Sequence, residues 1–411
     1  MLKINSHIKN FFVLFPFILV FIGAIFLNSN RPLGTIFKMS AFFYMILFVL
    51  INRSVPKNLL IAFSLFLPFF VYGFIYSFKL QAGIEDGIRY LFPIVVLFYS
   101  YSIKEYLPVL IKFTILFVIL NFLVQIFNYI LWFKGVTLWY FIERNGRAFP
   151  PLTMNFLRGT GFVSSFAFYG FMNMVSFLLI YKYYFGKYKK VILTITLLGI
   201  ISSLSYKTFI TVAILLIIYF YKKLGQIILS GFLVLILVFM FKPQIIHKVV
   251  DDFTFRVKHY KLGAKSARSD SYRVMFEQIS KPNLLGIGVG NFGGPASTKY
   301  NSPYYDKLGY SWNGMEWANL ATTDTYYPHL FVELGIIGGL LYLMTLLSPF
   351  FTRKIPYIVL ILYFVLLLDS LMTFSLNNLE FLLYSLAWVY PIIYLSNKEK
   401  KLKNETRLST G

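Results

Sequence analysis

A run of cations in one polar stretch is the feature of this sequence best suited to chemistry. Seven lysines and arginines lie between residues 248 and 273: Lys248, Arg256, Lys258, Lys261, Lys265, Arg268 and Arg273. Guanidinium groups bind phosphate oxygens in a bidentate manner, so this stretch suits a diphosphate head group. The alternative is a solvated basic face with local ion pairs, such as Arg273 with Glu277 at i, i+4 spacing. Residue type and spacing leave both interpretations open.

Candidates for proton transfer follow at the start of an apolar run. Asp324 is placed to cap a helix whose early turn contains Pro328, and His329 and Glu333 share one face of that helix. A carboxylate at the membrane surface can take the proton of a sugar hydroxyl. The competing interpretation is a capped helix with a buried polar pair. Aromatic side chains nearby suit sugar stacking or anchoring in the membrane belt: Trp312, Trp317 and Tyr326.

A short amphipathic helix is predicted within the cationic stretch. Ser269, Asp270 and Ser271 can cap a helix that runs to Ile279. Its apolar residues fall on one face at i, i+3, i+4 and i+7, so we expect it to lie in the membrane interface with that face down. The residues of the face are Tyr272, Met275, Phe276 and Ile279.

A glycine-rich run follows this helix. Residues 286–292 read Gly-Ile-Gly-Val-Gly-Asn-Phe, which looks like a phosphate loop. The dinucleotide fingerprint needs a further glycine where Asn291 stands. We therefore interpret the run as a tight structural turn.

The chain that carries these groups is mostly apolar. Of its 411 residues, 58% are hydrophobic and only 13% are charged, whereas about a quarter are charged in soluble proteins. Runs of about 17 to 25 apolar residues can cross a bilayer, and basic turns beside short loops mark the cytoplasmic side. This pattern predicts about twelve spans: 11–27, 36–51, 58–77, 88–103, 107–131, 161–181, 190–204, 207–221, 225–241, 326–347, 355–374 and 379–396.

The spans predict an all-α polytopic membrane protein with both termini in the cytoplasm. Region 1–241 holds nine spans, region 242–325 is a large extracytoplasmic loop with short helices, and region 326–411 holds three spans and a basic tail. Lys3 and Lys9 precede the first apolar run, which ends without a small-x-small cleavage site. We interpret that run as an uncleaved first span.

Composition argues against several other functions. Much of the net charge of +23 sits in cytoplasmic turns and the tail, where anionic lipids account for it better than nucleic acid. There are no cysteines, and the four histidines have no ligand-like spacing, so we expect neither a metal nor a cofactor. Within the spans, Asp369 is the clearest carboxylate that an ion-coupled transporter would need, with Glu380 near a span end.

Several motifs occur in a family-like order. Arg268 and Tyr272 form an Arg-x-x-x-aromatic pair, and residues 283–292 read Asn-Leu-Leu-Gly-Ile-Gly-Val-Gly-Asn-Phe. Asp324-Thr-x-Tyr then begins a span. Residues 158–162 read Arg-Gly-Thr-Gly-Phe, and residues 205–208 read Ser-Tyr-Lys-Thr.

Together these motifs resemble the O-antigen polymerase/ligase superfamily and cover about the middle half of the chain. The family's ligases carry a histidine where this chain has Asp324, so the polymerase is favoured over the ligase. The resemblance assigns diphosphate binding, in order, to Arg268, Arg158, Lys207 and Arg273. It makes Asp324 the base or acceptor-positioning group, supported or replaced by His329 and Glu333.

The resemblance implies a GT-C-like membrane glycosyltransferase, a Wzy-type polymerase. Such an enzyme moves a growing chain from undecaprenyl diphosphate onto the terminal sugar of a new lipid-linked repeat unit, for O-antigen in lipopolysaccharide, capsule or exopolysaccharide. It would be metal-independent and inverting, and would act at the outer face of the bacterial inner membrane. Its partners would be membrane lipids, a chain-length regulator and a flippase. The alternatives are an O-antigen ligase and a lipid-linked oligosaccharide flippase or transporter.

Overall fold

The computed structural model is helical through most of its length. It describes residues 6–135, 143–144, 147–148, 152–153, 156–163, 165–219, 225, 250–251, 254, 266–281, 283–310, 323, 325–352 and 355–409. The helices are α1 Ser6–Ser29, α2 Arg31–Asn52, α3 Lys57–Ile75, α4 Leu80–Ser102, α5 Leu107–Phe133, α6 Phe166–Tyr183, α7 Lys189–Ser202, α8 Tyr206–Tyr219, α9 Ala267–Ser280, α10 Pro295–Lys299, α11 Tyr304–Lys307, α12 Tyr326–Leu346, α13 Tyr357–Ser370, α14 Leu379–Leu386 and α15 Val389–Ser409.

Short elements connect some of these helices. Two hairpins of two-residue strands follow α5, in which β1 Glu143–Arg144 pairs with β2 Arg147–Ala148, and β3 Leu152–Thr153 pairs with β4 Phe156–Leu157. Two 3-10 turns, Ser348–Phe351 and Ser375–Asn377, flank α13.

Eleven of the predicted spans coincide with helices, and the twelfth, 225–241, lies almost wholly outside the described residues. In the described part of the chain, six helical stretches are long and apolar enough to cross a bilayer: Ile8–Phe26, Arg31–Asn52, Lys57–Ile75, Leu107–Phe133, Tyr326–Leu346 and Leu379–Leu402. The chain is therefore a multi-pass membrane protein. The number twelve stays a prediction.

The helices bury one side and expose large apolar side chains on the other. Phe17, Phe66 and Tyr99 are fully buried, whereas Ile75 and Phe133 are more than two-thirds exposed. Such exposure is unfavourable in water but suits contact with lipid chains. The pattern agrees with helices that pack around a shared core and face hydrocarbon outside.

α12 is interrupted at Gly335, where φ is 68° and ψ is −176°. Backbone groups of the glycine-rich run pair with the turn before the break: Ile287 N–H donates to Val332 O at 3.1 Å, and Gly288 N–H to Glu333 O at 3.0 Å. Irregular backbone at membrane depth is tolerated where protein satisfies its polar groups. The run is a structural turn, as predicted, and it completes a broken helix.

Two predicted helix caps were wrong, that of α9 by three to five residues and that of α12 by one. The N-cap of α9 is Ser266, whose hydroxyl accepts from the Ser269 N–H at 3.2 Å, so Ser269 is already inside the helix. The N-cap of α12 is Thr325, while Asp324, the predicted cap, lies outside the described residues. In both places several small polar residues occur in sequence, and spacing alone does not choose among them.

α9 packs against α12 and the loop between them. Val274 and Met275 are buried against Phe292 and Val332. The predicted apolar face is divided, because Met275 points into this core while Phe276 is half-exposed. Protein contacts therefore fix the inner side of α9. Its position in the membrane interface stays a prediction.

Candidate functional site

Lys207 lies in the first turn of α8, just after the tight turn that joins α7 to α8. Leu204 occupies the left-handed region in that turn, with φ of 45°. The Lys207 ammonium lies 2.7 Å from Oδ1 of Asp369 and donates to the Thr373 hydroxyl at 3.2 Å. Asp369 also accepts from the hydroxyls of Thr373 and Ser375. The carboxylate considered above for a transporter thus serves as the counter-ion of a lysine.

Arg158 reaches the same turn from the segment that precedes α6. Its Nη2 donates to Leu204 O at 2.8 Å, and its guanidinium lies 3.3 Å from the centre of the Phe166 ring. The side chain is largely buried. The next residue, Gly159, donates its N–H to Ser202 O at 2.6 Å. These contacts hold Arg158 against the C-terminal end of α7.

Arg268 enters the same region on the first turn of α9. The charges of both Arg268 and Arg158 act on the Lys207 ammonium. α9 is tied to the end of α13 by the Tyr272 hydroxyl, which donates to Leu371 O at 2.8 Å. We call Arg158, Lys207 and Arg268 the cation cluster. The three positive charges repel one another. An anion bound among them would be attracted to each and would offset this repulsion, so its binding would be stabilised.

Arg273 is held elsewhere on α9. Its Nε lies 2.7 Å from Asp270 Oδ1, its Nη1 lies 2.7 Å from Glu277 Oε1, and its Nη2 donates to Gly309 O at 2.5 Å. The hydrogen bond to Asp270 raises the pKa of Arg273 above its ordinary value. The local pair with Glu277 that the spacing allows is confirmed. Arg273 braces its own helix and is left out of the cation cluster.

His329 and Glu333 lie on the α12 face that meets α4. His329 Nδ1 is 2.7 Å from Phe292 O, so this nitrogen carries the hydrogen and Nε2 is the acceptor. Glu333 accepts from Phe292 N–H at 2.9 Å and from the Tyr90 hydroxyl at 3.1 Å. The His329 ring stacks on Tyr90 with 5.1 Å between ring centres. Both side chains are fully buried.

Asp86 completes this group and was missed by the sequence reasoning. It precedes Tyr90 by one turn of α4, and its Oδ1 accepts from Ala296 N–H at 3.4 Å. Among the described residues, Asp86 Oδ2 and His329 Nε2 are buried with no hydrogen-bond partner. We call Asp86, Tyr90, His329 and Glu333 the acid–imidazole cluster. The available signal was the charge of Glu85, Asp86 and Arg89 just before an apolar run.

The environment of Asp86 differs from that of a surface carboxylate. Asp86 lies before the apolar part of α4, and Arg89 Nε is 3.7 Å from its Oδ1. Burial raises the pKa of Asp86 to about 6, while the charge of Arg89 opposes this rise. A carboxyl group with such a pKa can exchange a proton near neutral pH.

The two clusters are neighbours. Phe374 contacts the His329 ring with 5.8 Å between ring centres. In the sequence Phe374 stands between Thr373 and Ser375, whose hydroxyls both donate to Asp369, the counter-ion of Lys207. Residues on either side of Asp324 form hydrogen bonds next to each cluster. The Thr323 N–H donates to Gly293 O at 3.2 Å beside His329, and the Thr325 hydroxyl lies 2.8 Å from that of Ser271 on α9.

The predicted sugar platforms have different outcomes. Trp312 and Trp317 lie outside the described residues, as does Asp324. Tyr326 is fully buried between Tyr90 and Tyr342, with ring centres 6.5 and 6.2 Å away. This packing closes its ring faces to a sugar, so Tyr326 is left out of the sugar-binding proposal.

Comparison with known proteins gives one match. Residues 190–343 match the family model described as O-antigen ligase, Wzy_C. The matched stretch contains Lys207, Arg268 and the His329–Glu333 pair, whereas Arg158 and Asp86 lie before it. No curated protein and no solved structure matches the chain.

Proposed function

We propose that this chain, a membrane glycan enzyme whose Wzy_C domain is consistent with the O-antigen polymerase/ligase superfamily, polymerises lipid-linked oligosaccharide repeat units. The donor is a growing chain on a prenyl diphosphate such as undecaprenyl diphosphate. The acceptor is the terminal sugar of a new lipid-linked unit. No nucleotide site is needed, because the lipid diphosphate already activates the donor.

The observation that carries this proposal is the convergence of Arg158, Lys207 and Arg268 from three distant parts of the sequence. In the reaction, the acceptor oxygen bonds to the anomeric carbon, and the bond from that carbon to the diphosphate oxygen breaks. The electron pair leaves with the diphosphate. Preorganised cations around the leaving group stabilise this developing charge. Guanidinium and ammonium groups supply it here, and direct displacement inverts the anomeric centre.

The acceptor's proton goes to a carboxylate or imidazole in this proposal. Asp324 is the proposed base or acceptor-positioning group, because its neighbours form hydrogen bonds next to the two clusters. The Thr323 N–H donates to Gly293 O beside His329, and the Thr325 hydroxyl meets that of Ser271, which donates to Arg268 O. His329 and Glu333 are fully buried, so we propose that they support the site indirectly, by holding the backbone of Phe292 in place. Trp312 and Trp317 are the proposed sugar platforms.

The proposed setting is the bacterial inner membrane, with both termini cytoplasmic and the active face outside. Spans and basic turns support this orientation. Anionic lipids, a chain-length regulator and a flippase are the proposed partners.

Purified protein with one defined undecaprenyl-diphosphate-linked repeat unit tests the proposal. We expect a ladder of products that lengthens with time, and loss of that ladder in Asp324→Asn. An unchanged polymer yield in Asp324→Asn would show that Asp324 is not the base. A ladder that never forms, under conditions where the protein is folded, would overturn the polymerase assignment.

An O-antigen ligase is the second candidate, because the family that matches residues 190–343 is that of the O-antigen ligases. Loss of the two activities leaves different products in cells. Without a polymerase, single repeat units accumulate on the final acceptor, whereas without a ligase long chains remain on undecaprenyl diphosphate. A flippase or transporter instead predicts an aqueous cavity lined by intramembrane charges. Asp369 is paired with Lys207, so this position has no free carboxylate to couple ion movement in a transporter.

A further inference from the structure

α5 carries a row of buried amides within an otherwise apolar span. Asn121, Gln125 and Asn128 are spaced at i, i+4 and i+7, so they lie on one face of the helix. Each is at most 1% exposed. Polar side chains within a membrane helix are unfavourable unless they have partners, so such a row calls for an explanation.

The partner of this row is the backbone of the segment that carries Arg158. Gln125 Oε1 accepts from the N–H groups of both Thr160 and Gly161 at 2.8 Å. Asn121 Oδ1 accepts from Phe162 N–H at 2.8 Å. A single amide row thus pairs three consecutive backbone donors that are in neither a helix nor a strand.

Two further contacts extend the row toward the outer end of α5. Asn128 Nδ2 donates to Gly161 O at 3.1 Å, and the Tyr129 hydroxyl donates to Leu157 O at 3.3 Å. The contacts therefore run antiparallel, with later residues of the segment meeting earlier residues of α5. Asn121 lies 12 residues before the end of α5, about 18 Å along the helix axis. The segment descends alongside α5 into the predicted membrane region.

Close packing makes this arrangement specific. Gly161 has φ of 54°, and a Cβ placed there would overlap the Asn121 side-chain amide. On the other side, Gly159 N–H donates to Ser202 O. Arg158 is thus flanked by Leu157 and Gly159, and each has its backbone tied to a different helix.

We propose that Gln125 and Asn121 are positioning residues that fix Arg158 in the cation cluster. This inference rests on the proposed function only through the diphosphate-binding role of Arg158. Without the Gln125 oxygen, two buried N–H groups lose their acceptor, and the segment must shift to find others. A small displacement of Arg158 would weaken its interaction with the diphosphate strongly, because that interaction depends on the guanidinium being held at the correct distance and angle.

The test measures binding of farnesyl diphosphate to purified protein in detergent, for four forms: wild type, Gln125→Leu, Arg158→Ala and the double variant. We expect Arg158→Ala to raise Kd about tenfold or more, as for loss of a charge-assisted hydrogen bond. Gln125→Leu should raise Kd at least about threefold, and the double variant should be no weaker than Arg158→Ala. If Gln125 served folding alone, the effects of Gln125→Leu and Arg158→Ala on Kd would be independent, and the double variant would bind more weakly than Arg158→Ala.

Gln125→Glu keeps an acceptor oxygen at the same place and should restore most of the affinity. Thr114→Val, which removes a buried hydroxyl about three turns before Gln125 on α5, is the matched control and should leave Kd unchanged. If Gln125→Leu leaves Kd unchanged while Arg158→Ala raises it, the positioning role is overturned and the proposed function stands. If Arg158→Ala itself leaves Kd unchanged, both the diphosphate role of Arg158 and this inference fail.

Discussion

The ammonium of Lys207 lies 2.7 Å from Oδ1 of Asp369, so an ion pair joins the first turn of α8 to the last turn of α13. Both side chains are nearly buried. Removing one partner of such a pair leaves a desolvated charge, which destabilises a protein by about 3 kcal/mol or more. We expect Asp369→Asn to lower the thermal unfolding temperature of the purified protein, measured by circular dichroism.

The double variant Lys207→Met/Asp369→Asn separates stability from function. It removes both charges, so we expect it to recover most of the lost stability. It should nevertheless bind farnesyl diphosphate more weakly than wild type, because one cation of the cluster is gone. A double variant with wild-type affinity would show that Lys207 serves only as a structural partner of Asp369.

Arg268→Ala should abolish long polymer in cells and lower the rate with a defined lipid-linked unit about a hundredfold or more. The reason is loss of charge stabilisation at the leaving diphosphate. Arg268→Lys should recover only part of the rate, because an ammonium group lacks the bidentate geometry. Lys281→Ala, at the exposed end of the same helix, is the control and should be nearly neutral. Normal chain lengths in Arg268→Ala would contradict the assignment.

The all-helical, membrane-spanning character follows from the sequence because long apolar runs have few other stable arrangements. The glycine-rich run was also predicted as a turn. Its contacts were not, because they depend on the break in α12. The sequence predicted one continuous span, 326–347, through Gly335. A glycine's dihedral angles depend on its tertiary surroundings, here the backbone of residues 284–288.

The candidate site was only partly predictable. Arg158, Lys207 and Arg268 are far apart in sequence, and the family resemblance rather than their spacing suggested that they act together. Asp86 was missed because charges beside an apolar run are typical of an ordinary span end. The amide row of α5 gives no signal in hydropathy, since three polar residues barely change the average over 27 residues. Its role appears only when the partner backbone is known.

Asp86 gives the stability of the protein a distinctive pH dependence. Burial raises its pKa from 3.8 to about 6, so the folded state favours the protonated form. The stability that this group contributes is full below about pH 4 and is lost as the pH rises through about 6. We therefore expect Asp86→Asn to unfold at a higher temperature than wild type above pH 6, with the difference vanishing near pH 4.

Glu85, the neighbour of Asp86, should show the opposite sign. Burial raises the pKa of Glu85, but hydrogen bonds from Lys299 and Tyr300 outweigh it and lower the pKa below the ordinary value. Its stabilising contribution is present above about pH 4.5 and is lost in more acidic solution. Glu85→Gln should thus be less stable than wild type at neutral pH. Parallel pH profiles for the two variants would contradict the assignment for Asp86.

Gly335→Ala tests whether the break in α12 holds the site together. An alanine would have to adopt φ of 68° and ψ of −176°, and its Cβ would overlap the backbone of Leu284 and Gly286. We expect a loss of about 3 kcal/mol or more in stability, together with loss of activity, because the loop that binds Glu333 would be displaced. Gly338→Ala is the matched control. A Cβ placed at Gly338 would come 3.1 Å from Leu334 Cβ rather than overlapping the backbone of the loop, and the backbone at Gly338 is helical. Equal thermal stability of the two variants would mean that α12 can straighten without disturbing the loop.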